Sequence, residues 1–259
     1  MFWNVASPNE VFQRRIKESP LTILYLLLNL GSLSIPLVYS FHPRIQISKK
    51  WKAVIIALSI SATIYIIWDV IFTKAGVWGF NPEYLIGWYI FGLPIEELLF
   101  FICIPYASVF THFTLVSIYP GYKLGVHFTK ILNWIILVLL LVAALFNPGK
   151  AYTLVNGLFT MVILLITMIK KPEILSRFYL TYLVILIPFF VVNGILTGSF
   201  IKDEVVWYNN AENLGLRLLT IPVEDFFYGF GLILLSILII ELLSSINKSG
   251  FSPPKLSSD

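Results

Sequence analysis

The sequence predicts an all-α integral membrane bundle of about seven transmembrane helices, built as two parallel three-helix repeats joined by a linking helix. Three observations carry this. Hydrophobic residues make up 58% of the 259-residue chain and charged residues only 12%, half the charged share usual in a soluble domain. Such a chain cannot cover a water-facing surface, which excludes disorder, a coiled coil and a soluble Rossmann-type enzyme. Seven apolar stretches approach the roughly 20 residues that cross a hydrocarbon core. Two of these stretches carry the same proline-and-acid motif, 128 residues apart.

The expected spans are Leu21–Phe41, Ala53–Phe72, Ile86–Ser117, Ile131–Phe146, Tyr152–Ile169, Phe178–Leu196 and Leu218–Leu243. None alternates in the manner of a membrane β-strand, so each is read as a helix. The fourth is the shortest. The third exceeds what a bilayer needs and is expected to extend past the surface or bend near Pro94 or Pro105. Loop lysines and arginines divide six to eleven in favour of an outside N-terminus and a cytoplasmic C-terminus, with Arg14, Arg15 and Lys17 counting against it. The expected location is the cell membrane, as a multi-pass protein. A net charge of +4, dispersed in loops, suits anionic lipid headgroups rather than nucleic acid.

Residues 93–100 read LPIEELLF and residues 221–228 read IPVEDFFY. Gly87 and Gly215 keep the same offset, Val77, Trp78 and Asn81 resemble Val206, Trp207 and Asn209, and Asn193 stands where the first half has Asp69. Spans one to three thus match spans five to seven. An even number of spans separates equivalent positions, so the halves point the same way, related by an axis along the membrane normal. Residues 1–259 are expected to form a single membrane domain, with repeats at approximately 21–117 and 152–243 and a linker helix at approximately 131–146.

Glu96, Glu97, Glu224 and Asp225 are the expected catalytic residues. A charge deep in a bilayer costs at least about 3 kcal/mol on insertion scales, so four acids demand compensation or protonation. Neighbours on a helix stand about 100° apart, so one carboxyl of each pair can face a shared cleft while the other meets an adjacent helix. Desolvation and like charge favour the protonated form, giving a general acid in apolar surroundings. A plainer arrangement is also open. Helices could begin at Pro94 and Pro222, with the acids in the first turn complementing the helix dipole.

Asp69, Asn81, Asn193, Asn209 and Arg217 lie toward the same side and are expected to orient carboxyls or substrate. Arg217, seven residues before Glu224, is placed to pair with an acid. Trp78 and Trp207, with Trp88, Tyr208, Phe226, Phe227 and Tyr228, supply aromatic faces that attract cations. For the two tryptophans an interfacial aromatic belt is the favoured reading. His112 and His127 lack metal-ligand spacing, Cys103 is the single cysteine, and no dinucleotide or phosphate-binding motif occurs. No metal and no cofactor are expected. Span seven holds no lysine for a retinal Schiff base.

FGLPIEELLFFICIPYASVF and LTIPVEDFFYGF, with WDVIFTKAGVWGFN and VVWYNNAENLGLR, closely resemble the small membrane lycopene cyclases. These occur as two subunits in some actinobacteria, fused in archaea and Bacteroidetes, and as part of a bifunctional fungal protein; this chain resembles the fused form from Leu21 to about Leu243. The resemblance implies a redox-neutral lycopene β-cyclase of carotenoid biosynthesis. An acid protonates C2 of a linear end group, the C1 cation is attacked by the C5=C6 bond, and loss of the C6 proton leaves a β ring, giving γ-carotene or β-carotene. Glu96 and Glu224 are expected as principal acid and base, with Glu97 and Asp225 sharing the proton. The implied partners are lycopene, membrane lipids and other carotenoid-pathway enzymes. Two other readings are a small proton-coupled transporter, since a 3+1+3 layout and membrane carboxylates also serve transport, and a non-catalytic scaffold of the carotenoid pathway. Nearly pure Leu, Ile and Val at the span ends away from the acids favours the enzyme.

Overall fold

The computed structural model describes residues 20–45 and 47–249. Arg14, Arg15 and Lys17, which enter the loop-charge count, lie outside the described residues. Among these, seven helices are long and apolar enough to cross a membrane. They are α1 (Leu24–Tyr39), α2 (Trp51–Ala75), α3 (Ile95–Ile118), α4 (Val126–Phe146), α5 (Ala151–Lys170), α6 (Pro172–Leu196) and α7 (Val223–Ser249). Three short antiparallel ribbons join them: β1 (Trp78–Phe80) with β4 (Val206–Tyr208), β2 (Tyr89–Ile90) with β3 (Leu93–Pro94), and β5 (Arg217–Leu218) with β6 (Ile221–Pro222).

The helices are apolar on every side, as membrane segments are. The difference between faces is packing. α3 and α7 form the centre, where Val109, Leu234 and Ile237 are fully enclosed. Ile35, Phe146, Ile169 and Leu183 remain exposed on the rim, where lipid tails solvate them. α3 packs on α1, α2 and α6, while α7 packs on α2 and α5. α4 lies against α5 and links the repeats. Gly157 allows that approach, because a Cβ there would stand 3.3 Å from the Leu140 carbonyl oxygen.

The third and seventh helices begin later than their apolar stretches suggested. The chain from Ile86 to Pro94 forms a hairpin rather than helix, and so does the chain from Leu214 to Pro222. Proline fixes φ near −65° and drives the preceding residue out of the helical region, so each helix starts only after it. Both hairpins reverse through left-handed backbone, Phe91 (φ 56) with Gly92 (φ 89) in the first and Leu219 (φ 58) in the second. The structure thus has the helices beginning at the prolines, with both acid pairs in a first turn, and Pro105 lies inside α3.

Backbone hydrogen bonds repeat with the sequence. Asn81 N–H donates to the Val205 carbonyl (2.8 Å) and Asn209 N–H to that of Val77 (2.9 Å). Ile95 N–H donates to the Trp88 carbonyl (2.9 Å) and Val223 N–H to that of Leu216 (3.0 Å). A half-turn about the membrane normal keeps equivalent helices parallel but reverses any strand lying across the axis. Equivalent strands therefore pair antiparallel, as β1 and β4 do, with Trp78 opposite Tyr208, Gly79 opposite Trp207 and Phe80 opposite Val206. Gly79 and Trp207 differ by the repeat offset and so sit on the axis. The indole lies over the glycine, and a Cβ at position 79 would fall 2.3 Å from Trp207 Cζ2 and 2.6 Å from its Cε2.

Gly79→Ala is expected to destabilise the fold by about 1–3 kcal/mol through overpacking. Thermal unfolding in detergent measures this, and adding Trp207→Ala should restore most of the loss.

Candidate active site

Both acid pairs occupy the first turn of a central helix, where the dipole favours negative groups. The 100° step between neighbours then separates their surroundings. Glu96 and Glu224 turn toward the preceding hairpin. Glu96 Oε1 accepts the Ile86 N–H (2.6 Å). Glu224 Oε1 accepts the Leu214 N–H (2.7 Å) and the Thr153 hydroxyl (2.6 Å). Asn29 and Asn156 reach in from the first helix of each repeat and donate to the backbone carbonyls of Glu96 (2.8 Å) and Glu224 (2.7 Å). These bonds pin each hairpin and each first helix to the start of a central helix. Neither Glu96 nor Glu224 lines the cavity described next.

Glu97 and Asp225 face that cavity, together with Asp69 from the end of α2. Its volume is about 230 Å³. The Tyr25 hydroxyl donates to Glu97 Oε2. Asp225 is held more fully, by the hydroxyls of Tyr152 on Oδ1 (2.6 Å) and Tyr208 on Oδ2 (3.0 Å), and by Asn193 Nδ2 on Oδ2 (3.1 Å). Asp69 Oδ1 accepts from the Trp78 indole N–H and from Thr73 Oγ1 at 3.2 Å. All three acids are buried. The ion pairs among described residues are Lys50–Glu241, Lys171–Glu173 and Lys202–Asp203, none of them at these acids.

The remaining wall is aromatic and aliphatic. Trp78, Tyr152, Tyr208, Tyr228, Phe80 and Phe100 surround the acids, and Tyr152 and Tyr208 stack with ring centres 6.0 Å apart. Away from the acids the cavity runs between α1, α3 and α6, past Ser32, Ile104, Ala107, Thr111 and Ile185. Its shape suits a long, mostly apolar molecule, and its acids are gathered at one end.

Several expected roles change. Arg217 is exposed, not paired with an acid, because it lies in strand β5 and not two helical turns below Glu224. It donates to the Thr220 carbonyl (2.7 Å) and to Asn210 Oδ1 (3.2 Å), with its guanidinium 5.7 Å from the Tyr208 ring centre. Asn81 and Asn209 do not orient the carboxyls. Each accepts a backbone N–H two residues on, from Glu83 and Ala211, both at 3.0 Å, as turn asparagines do. Trp78 is buried against Asp69 rather than placed in an interfacial belt, while Trp207 is 40% exposed over Gly79 and outside the cavity. Asn193 does reach an acid, Asp225.

Tyr25, Tyr152, Asn29 and Asn156 were not among the expected site residues. A signal existed: Tyr25 and Asn29 stand in the same four-residue spacing as Tyr152 and Asn156, 127 positions on. Extending the repeat back to the first helix of each half would have found them.

No curated protein and no solved structure matches the chain significantly. The family model described as lycopene cyclase matches it twice, over residues 22–115 and 149–243. The two matches fall on α1–α3 and α5–α7, so one chain carries both units, and the family's activity, an isomerase-type cyclisation of lycopene, sets aside the transporter and scaffold readings. With both matched segments covering most of its length, the chain belongs to the lycopene cyclase family.

Proposed function

We propose that the protein is a lycopene β-cyclase of the cell membrane, closing linear end groups to β rings with Glu97, Asp225 and Asp69 as its acid–base group. The observation that carries this is the meeting of three buried carboxyls at one end of an apolar slot, with no ion pair to them among the described residues. Buried charges without partners are costly, so the three share protons rather than carry three charges. That supplies what the reaction needs: a proton in dry surroundings, and an anion to face the cation that follows.

Hydrogen bonding divides the roles. Asp225 has three donors and Glu97 one. Donors stabilise the charged form of a carboxyl, so Asp225 serves as the anion and base and Glu97 as the acid. Glu97 delivers its proton to C2, the C1 cation is attacked by the C5=C6 bond, and the resulting C5 cation loses the C6 proton to Asp225. The C5=C6 bond reforms, and no electron is gained or lost. Asp69, held by Trp78, returns a proton between cycles. The faces of Tyr152, Tyr208 and Tyr228 stabilise the cations and exclude water that would trap them. Glu96 and Glu224 act as positioning residues, holding the hairpins and thereby the direction of their neighbours.

Expression in lycopene-accumulating bacteria is expected to turn the pigment from red toward yellow-orange, with γ-carotene and β-carotene on pigment chromatography; red cells containing unaltered lycopene would refute the reading. Glu97→Gln and Asp225→Asn should each reduce cyclisation by about 10²-fold or more, the usual weight of a general acid or base. Glu96→Gln and Glu224→Gln keep an oxygen that can accept the hairpin N–H, so both should retain most activity. Equal losses in all four would contradict the assigned division. Tyr25→Phe and Tyr152→Phe should slow turnover about tenfold, the scale of one charge-assisted hydrogen bond, without changing the ring formed.

A further inference from the structure

The two-fold arrangement offers two related grooves beside the acids, one between α1 and α6 and the other between α5 and α2. Neither outer pair packs closely together, so both grooves look outward between helices. Only one is empty. The cavity extends along the α1–α6 groove from Glu97 to Thr111 on α3, roughly 21 Å at 1.5 Å per residue.

The α5–α2 groove is filled by its own side chains. Tyr65 stands 5.6 Å from Phe159, 6.3 Å from Phe101 and 4.9 Å from Tyr228 between ring centres, and Trp68 stands 5.6 Å from Phe159 and 5.0 Å from Tyr228. Three of these fillers have smaller residues at their counterparts. Taking Tyr25 with Tyr152, Asp69 with Asn193, and Glu97 with Asp225, Phe159 corresponds to Ser32, Trp68 to Val192 and Phe101 to Gly229. Ser32, Val192 and Gly229 all line the open cavity.

We propose that the linear polyene enters from the bilayer between α1 and α6 and lies in that groove alone, with Ser32, Val192 and Gly229 keeping it open and the related groove sealed by Phe159, Trp68 and Phe101. The proposal rests on a carotenoid being the substrate. One groove leading to one set of acids admits one end of the molecule at a time.

The test is made in lycopene-producing cells. The protein is purified in mild detergent, and the carotenoid retained per protein is read from visible absorbance, separately from cyclised pigment in the cells. At Gly229 an added Cβ would meet Tyr182 Oη at 3.6 Å and Phe189 Cε2 at 3.7 Å, ordinary contacts, so Gly229→Ala should retain carotenoid like the wild type. Gly229→Phe and Ser32→Phe should reduce retained carotenoid at least tenfold, and cyclised pigment with it. Ser32 is only part-buried on an outer helix, so Ser32→Phe carries the test if Gly229→Phe does not accumulate. Phe159→Leu, in the sealed groove, should change retention less than twofold. Retention that survives the phenylalanine substitutions, or a wild type that retains no carotenoid, overturns the groove assignment. A wild type that retains lycopene and closes no ring counts against the reaction assigned above, not against the groove.

Discussion

Acids placed in an apolar interior without an ion-pair partner among the described residues must be held by hydrogen-bond donors, and the rest of this bundle is arranged around those donors. The carboxyls sit at the first turns of α3 and α7. Their partners come from the starts of α1 and α5, the end of α6, the ribbon strand β4 and the turns before each central helix. Each bond ties a peripheral element to a central one. In lipid, where helices gain little from burying apolar surface against one another, such polar ties and close packing are what fix register. The same bonds that hold the acids in place therefore hold the bundle in shape.

The two carboxyls of each pair divide these duties. Glu96 and Glu224 each accept a backbone N–H of the preceding hairpin, the same local contact in both repeats, and Glu224 adds the Thr153 hydroxyl. Glu97 and Asp225 use side-chain donors from other helices and from strand β4, and here the repeats differ, with one donor against three. The hairpin contacts keep the symmetry, and the donors around the acids that face the cavity break it. A pair of equal acids could not easily give and take a proton in a fixed direction; in the proposed mechanism the unequal donors supply that direction.

Much of this was legible in the sequence. Hydropathy alone marks the spans, because a bilayer imposes both length and composition. The repeated proline-and-acid motif locates the acids and the axis. The helix starts were harder to read, since Ile86–Pro94 is as apolar as the helix it precedes, and only the constraint at proline separates hairpin from helix. The division between Glu96 and Glu97 was not legible, because a 100° step says that two neighbours part but not which one meets the cavity. Arg217 misled for a related reason: spacing along an assumed helix brought it to the acids, and the strand that replaced the helix carried it away. Asn81 and Asn209 were seen as polar groups near a site, yet each serves its own turn.

The glycine that faces a tryptophan on the axis bears on ancestry. In an assembly of two identical polypeptides, a residue lying on the dyad meets its own copy. Two indoles there would collide, and two glycines would leave the ribbon uncovered. Only copies free to drift apart in sequence can shed a side chain at one position and enlarge it at the other. The mismatch fits divergence after duplication: two copies of the second half would clash at the axis, and two copies of the first would leave it unfilled.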